Sequence, residues 1–214
     1  MKPDNLKLNL PKIYPITDTR LTGLSHAEQV KKLIAGGATF IQLREKYASP
    51  KEFFEDAGAA IEIARANSVK IIINDRVDMA LALRADGVHL GQDDLPPAAA
   101  RAILGEKAII GFSTHSVRQA IEGVRFPVDY VAIGPVFATQ TKENPGAPVG
   151  IEGVGQVRAA IGDFPLVCIG GIRAENSREV FAAGADSLAI IKSILSPAEK
   201  ISENLRSFLS ILPK

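Results

Sequence analysis

Eight short apolar, β-branched runs punctuate the chain, and their rhythm restricts the fold more than any other feature. They are IYPIT (13–17), TFIQL (39–43), KIII (70–73), GVHL (87–90), AIIGF (108–112), YVAIG (130–134), LVCIG (166–170) and SLAII (187–191). These runs lack the alternation of a sheet with one wet face, so they read as parallel strands covered on both sides. The segments between them carry helical spacing. Ser25 with Glu28 makes a capping box ahead of AEQVKKLIAGG, while VDMALALRADG and REVFAAGAD reach a glycine close to the next strand. Eight strand-helix units in 214 residues close most simply into a single (β/α)8 TIM barrel over 1–214, with an open doubly wound sheet as the alternative. A recurring helix, Ala-Gly or Ala-Asp-Gly, then strand in AGGATFIQL, RADGVHL and AAGADSLAI hints at internal duplication.

Composition narrows the function. The 25 Lys and Arg are matched by 24 Asp and Glu, so no global field favours nucleic acid or an anionic membrane. With no Trp and three Tyr there is no stacking platform for single-stranded nucleic acid. The single cysteine, Cys168, excludes an internal disulfide framework and a multi-cysteine zinc site, and its place inside an apolar run marks it as a buried filler. The start MKPDNLKLNLPK carries neither a signal-peptide core nor a membrane span. The expectation is a soluble, cytoplasmic protein acting on small molecules, with homo-oligomerisation left open.

A barrel builds its active site at the carboxyl ends of its strands, and the reactive residues fall there. Gln42, Arg44, Glu45 and Lys46 follow strand two, Asn74 and Asp75 strand three, and Gln92, Asp93 and Asp94 strand four. Ser113 and His115 follow strand five, Thr139, Thr141 and Lys142 strand six, Gly170 and Gly171 strand seven, and Lys192 and Ser193 strand eight. Gln42, Arg44 and Lys46 share a face if the strand extends that far, and a guanidinium fork beside an ammonium suits a polyphosphate. Asp75 and Asp94 end neighbouring strands and suit Mg2+, which keeps several waters and takes its remaining ligands from phosphates. The competing role for each aspartate is a helix N-cap. Gly170-Gly171 allows close backbone approach to a second anion, or is an ordinary tight turn. Two anion sites in one mouth suggest two phosphorylated ligands. His26, just after a helix cap, is expected at the surface. His89 reads as a packed or hydrogen-bonded barrel residue, and His115 as either a substrate contact or a brace. The polar stretch 139–150 has the composition of a functional loop.

Taken together, QLREK (42–46), IINDR (72–76), GVHLGQDDL (87–95), GFSTH (111–115), GPVFATQTK (134–142) and IGGI (169–172) resemble the thiamine phosphate synthase family, in its order and from about Ile13 to Leu195. The resemblance implies a transferase that joins hydroxymethylpyrimidine diphosphate to thiazole phosphate with Mg2+, releasing pyrophosphate. It implies that Gln42, Arg44 and Lys46 hold the diphosphate together with Asn74, Ser113 and Lys142, and that Leu43 and Glu45 belong to the same substrate-binding segment. Arg44, Lys46, Lys142 and Ser113 would be catalytic, with Asp75 and Asp94 as metal ligands and the role of Asp93 open. Thr139, Gln140, Thr141, Gly171, Ile191 and Lys192 would face the thiazole phosphate. Where the family commonly has Ile-Ser at the end of strand eight, this chain has Ile191-Lys192; the lysine either adds a cation to the site or points outward. The rival readings are a thiazole tautomerase on the same barrel and a non-catalytic ligand-binding homologue.

Overall fold

The computed structural model describes residues 8–139 and 146–211. The eight expected strands are all present: β1 (Ile13–Pro15), β2 (Phe40–Leu43), β3 (Lys70–Asn74), β4 (Gly87–Leu90), β5 (Ile109–Thr114), β6 (Tyr130–Ile133), β7 (Leu166–Ile169) and β8 (Ser187–Ile190). Every neighbouring pair is parallel, in the order β1-β8-β7-β6-β5-β4-β3-β2. Ile16 bridges Gln42, and the Thr17 N–H donates to the Gln42 carbonyl at 2.9 Å, which joins the first strand to the second. That bridge turns a sheet into a barrel and removes the open-sheet alternative.

Helices α1 (Thr19–Thr22), α2 (His26–Ala35), α3 (Pro50–Ala66), α4 (Val77–Ala82), α5 (Pro97–Leu104), α6 (Val117–Gly123), α7 (Gly150–Ile161), α8 (Ala174–Ala182), α9 (Lys192–Leu195) and α10 (Ile201–Ser210) alternate with the strands. The Ser25–Glu28 box forms as read, with Glu28 N–H donating to Ser25 Oγ at 3.1 Å and Ser25 N–H to Glu28 Oε2 at 2.9 Å. Ser49 and Glu52 repeat the device ahead of α3. Strand side chains such as Ile41, Leu43, Ile73 and Leu90 have no solvent exposure, and each contributes ~1.5–3 kcal/mol by burial. Cys168 is among them, and burial pushes its thiol up to about 12, so it holds no thiolate.

The amino-terminal rim is stapled by a repeated device. Arg101 on α5 donates to Asp129 Oδ2 at 2.7 Å, and that oxygen also accepts from the Ile110 N–H. Arg158 on α7 does the same with Asp186 Oδ2 at 2.6 Å, which accepts from Leu166 N–H. The separation is 28 residues in both pairs. Each arginine also satisfies carbonyls of the turn before the next strand, Ala108 and Phe164 respectively.

His26 corrects the sequence reading: it is 1% exposed rather than at the surface. Its Nδ1 lies 2.7 Å from Thr17 Oγ1, its ring packs edge-on to Phe53, and its backbone N–H donates to Asp56 at 2.7 Å. Burial lowers its pKa despite the nearby carboxylates of Asp56 and Glu45. The helix cap puts its backbone at the chain's entry to α2, but the loop after β2 folds back over the ring. Among the described residues no helix is long and apolar enough to cross a membrane.

Candidate active site

The carboxyl ends of the strands open into two adjoining cavities of about 760 and 900 Å³. They share a wall made by Ser113, His115, Ala132, Ile169, Ala189 and Ile191, so ligands in the two would meet across it. The smaller cavity gathers Gln42, Arg44, Lys46, Asn74, Asp75, Asp94 and Ser113, which the sequence placed on separate strand ends. The regular strand β2 stops at Leu43, yet Arg44 and Lys46 still face the same cavity as Gln42.

Arg44, Lys46, Asp75 and Asp94 each have a partner there. Arg44 Nη1 donates to Asp18 Oδ2 at 2.8 Å, with both side chains largely buried. Asp18 itself caps α1 by accepting from Leu21 N–H at 3.0 Å. Lys46 Nζ forms an ion pair with Asp75 Oδ2. Glu45 turns away from the cavity: its carboxylate accepts from Thr19 Oγ1 and from the N–H groups of Lys46, Tyr47 and Ala48. Burial opposes its charge, but those donors prevail and hold it at about 2. Glu45 therefore shapes the loop that carries Lys46, and Leu43 is wholly buried and lines neither cavity.

Neither aspartate caps a helix. Asp75 has φ +63°, and the position before α4 is Arg76, without a side-chain cap. Asp94 Oδ2 accepts from Gly91 N–H at 2.6 Å, and α5 begins behind Pro96. Burial raises the Asp94 carboxyl, and the neighbouring Asp75 carboxylate adds to this, against the pull of Gly91 N–H and Lys46. Two carboxylates held side by side call for a cation. Among the described residues no group of three or more His, Cys, Asp or Glu could hold a metal. Two carboxylate oxygen donors of this kind suit a hard ion that completes its shell with water and phosphate.

The larger cavity is floored by Gly170 and Gly171, at φ +104° and +65°. A Cβ on Gly170 would lie 2.5 Å from Pro135 Cβ, and one on Gly171 2.7 Å from Phe137 Cβ. The glycines are needed both for backbone sign and for the packing of the loop after β6. Thr139, Ile191 and Lys192 line this cavity as expected, joined by Arg173 and Asn176. Asn176 Nδ2 donates to the Gly171 carbonyl at 3.1 Å, which fixes the turn. Ser193 also lines this cavity, and its hydroxyl donates to the Ile172 carbonyl at 2.8 Å. His115 Nδ1 sits 2.6 Å from the Gly134 carbonyl, as a brace of the mouth would, and His115 also lines both cavities. Gln140, Thr141 and Lys142 lie outside the described residues.

Sequence reasoning missed Asp18, although its signal was available: it is an acid directly after the first apolar run. The thiamine monophosphate synthase family model matches residues 13–194, which takes in every residue lining the two cavities except Ser196. The chain belongs to that family. A thiamine-phosphate synthase of Azorhizobium caulinodans is 46% identical over 203 residues, covering 94% of each chain. One of Chloroflexus aurantiacus is 40% identical over 203 residues, covering 94% of this chain and 93% of its own. The solved thiamine phosphate pyrophosphorylase of Pyrococcus furiosus superposes with a TM-score of 0.85 at 36% identity, over 97% of both chains. A geranylgeranylglyceryl phosphate synthase of Thermoplasma acidophilum, at TM-score 0.66 and 15% identity, shares the barrel alone.

Proposed function

We propose that this member of the thiamine monophosphate synthase family joins hydroxymethylpyrimidine diphosphate to thiazole phosphate, giving thiamine phosphate and pyrophosphate. The observation that carries the reading is the pair of cavities with a common wall, one lined by cations and carboxylates and the other floored by two glycines. In the reaction the bond between the pyrimidine methylene carbon and the diphosphate oxygen breaks, and the thiazole nitrogen supplies the electron pair for the new carbon-nitrogen bond.

No nucleophilic side chain is needed for this chemistry, and departure of pyrophosphate needs its growing charge met by charges already in place. Arg44, held by Asp18, and Lys46, held by Asp75, bind and orient the diphosphate from one side. Gln42, Asn74 and Ser113 add neutral polar groups on the same wall, and Lys142 is proposed to complete the set of diphosphate-binding residues. Asp75 and Asp94 would hold Mg2+, which when bound supplies positive charge beside the leaving group. Thr139, Gln140, Thr141, Gly171, Ile191 and Lys192 would receive the thiazole phosphate. The same reading takes small molecules rather than nucleic acid as ligands and a cytoplasmic setting.

The test is an assay with both substrates, with Mg2+ or with EDTA, following thiamine phosphate and pyrophosphate together. Equal release of the two products, abolished by EDTA, is expected. Absence of product with folded protein would overturn the reading in favour of the tautomerase or the binding protein.

A further inference from the structure

A chain of hydrogen bonds crosses the inside of the barrel beneath the smaller cavity. Gln42 Nε2 donates to Tyr14 OH at 2.9 Å, Tyr14 OH lies 3.0 Å from Tyr130 OH, and Tyr130 OH lies 3.0 Å from His89 Nδ1. His89 Nε2 then lies 2.8 Å from Ser113 Oγ. The five residues come from β2, β1, β6, β4 and β5, so they meet only across the barrel's interior. Tyr14 and Tyr130 are sealed from solvent. Gly111 on β5 makes the room: a Cβ there would sit 2.1 Å from Tyr130 Cζ and 2.5 Å from His89 Nδ1.

The direction of such a chain follows from what each group can give. A side-chain amide nitrogen only donates, so the Tyr14 oxygen accepts from Gln42 and its own proton goes to Tyr130. The Tyr130 proton then goes to His89 Nδ1, which must be an unprotonated acceptor. His89 is thereby held as the neutral Nε2–H tautomer, and that N–H donates to Ser113 Oγ. The Ser113 proton is left to point into the cavity. We infer that Gln42, Tyr14, Tyr130 and His89 form a one-way relay that sets Ser113 as a hydrogen-bond donor to the ligand, with His89 as its positioning residue. The ligand side of this inference, an acceptor atom facing Ser113, rests on the reaction proposed above; the tautomer does not. The reverse direction would need the Gln42 carbonyl to face Tyr14, and would turn Ser113 into a donor to His89 with only lone pairs for the ligand.

The two directions differ in which His89 nitrogen carries hydrogen, which long-range 1H–15N spectra of histidine-labelled protein read directly, with the signals assigned by His89→Asn. They are recorded on ligand-free protein above the pH at which histidine charges, so a failed synthase assay leaves the result intact. Nε2–H is expected in the parent chain. Gln42→Met, which removes the amide that sets the direction, is expected to give a mixture of both tautomers, and Tyr130→Phe likewise. Loss of the ordered Ser113 donor in Tyr130→Phe should lower kcat by roughly 10-fold while KM for the thiazole phosphate stays within about 2-fold, smaller than the ~100-fold or more expected on deleting an oxyanion donor outright. Nδ1–H in the parent chain, or an unchanged Nε2–H signal in Gln42→Met, would overturn the inference even if Tyr130→Phe fails to fold.

Discussion

Asp18 supports the largest single prediction. Its Oδ2 is the carboxylate partner of Arg44 at 2.8 Å, and its Oδ1 caps α1 through Leu21 N–H. Relative side-chain exposure is 11% for Asp18 and 9% for Arg44, so little solvent stands ready to replace the pair. Asp18→Ala removes both functions: ~3–5 kcal/mol for leaving a buried charge without its partner and ~1 kcal/mol for the cap. Arg44 borders an open cavity from which water can reach it, which favours the lower figure, about 4 kcal/mol in all. For a chain of this length about 1 kcal/mol moves Tm by roughly 2–4 °C, so a fall of roughly 8–16 °C is expected. Asp18→Asn keeps the cap and a neutral acceptor, and should lose about half as much. Thermal unfolding followed by circular dichroism, with and without pyrophosphate, makes the comparison. Pyrophosphate should raise Tm more in Asp18→Asn than in the parent, because Arg44 gains a counter-charge it otherwise lacks. A Tm for Asp18→Asn within about 1 °C of the parent, or equal stabilisation of both by pyrophosphate, would refute the assignment of Asp18 as the group that holds Arg44.

Gly111→Ala should destabilise by ~1–3 kcal/mol through overpacking against Tyr130 and His89, measured by urea unfolding; no loss would mean that the barrel interior is looser than the contacts imply. Glu45 is held below its ordinary value, so its contribution to stability is complete above pH about 4.5 and is lost as pH falls toward about 2. Glu45→Gln should therefore flatten the stability profile across that window, and an unchanged slope would argue against it. Lys192 is an exposed cation on the wall of the larger cavity, and Lys192→Ser should raise KM for thiazole phosphate by roughly 2–5-fold, as a screened surface charge does, with kcat unaltered. No change in KM would make Lys192 a bystander.

The fold was legible because parallel strands covered on both faces need continuous apolar runs, and nothing else in the chain imitates them. Their ends were less so. Strand β5 continues past Phe112 through Ser113 to Thr114 because the ladder to β6 still has partners there, although the residues turn polar. The cavity residues could be read because a barrel gathers its strand ends at one mouth, whatever their separation in sequence. What escaped was whatever depends on contacts across the interior or between loops. Tyr14 and Tyr130 are 116 residues apart and touch only because the barrel closes. His26 obeys its local cap signal in backbone, yet the loop after β2 decides its burial.

The Arg101–Asp129 and Arg158–Asp186 staples sit on the rim opposite both cavities. Strand register at that rim is therefore set by groups that no ligand touches. The loops at the other rim can exchange length and sequence without touching these staples. In evolutionary terms, the staples let one rim carry heritable stability and leave the other open to trial.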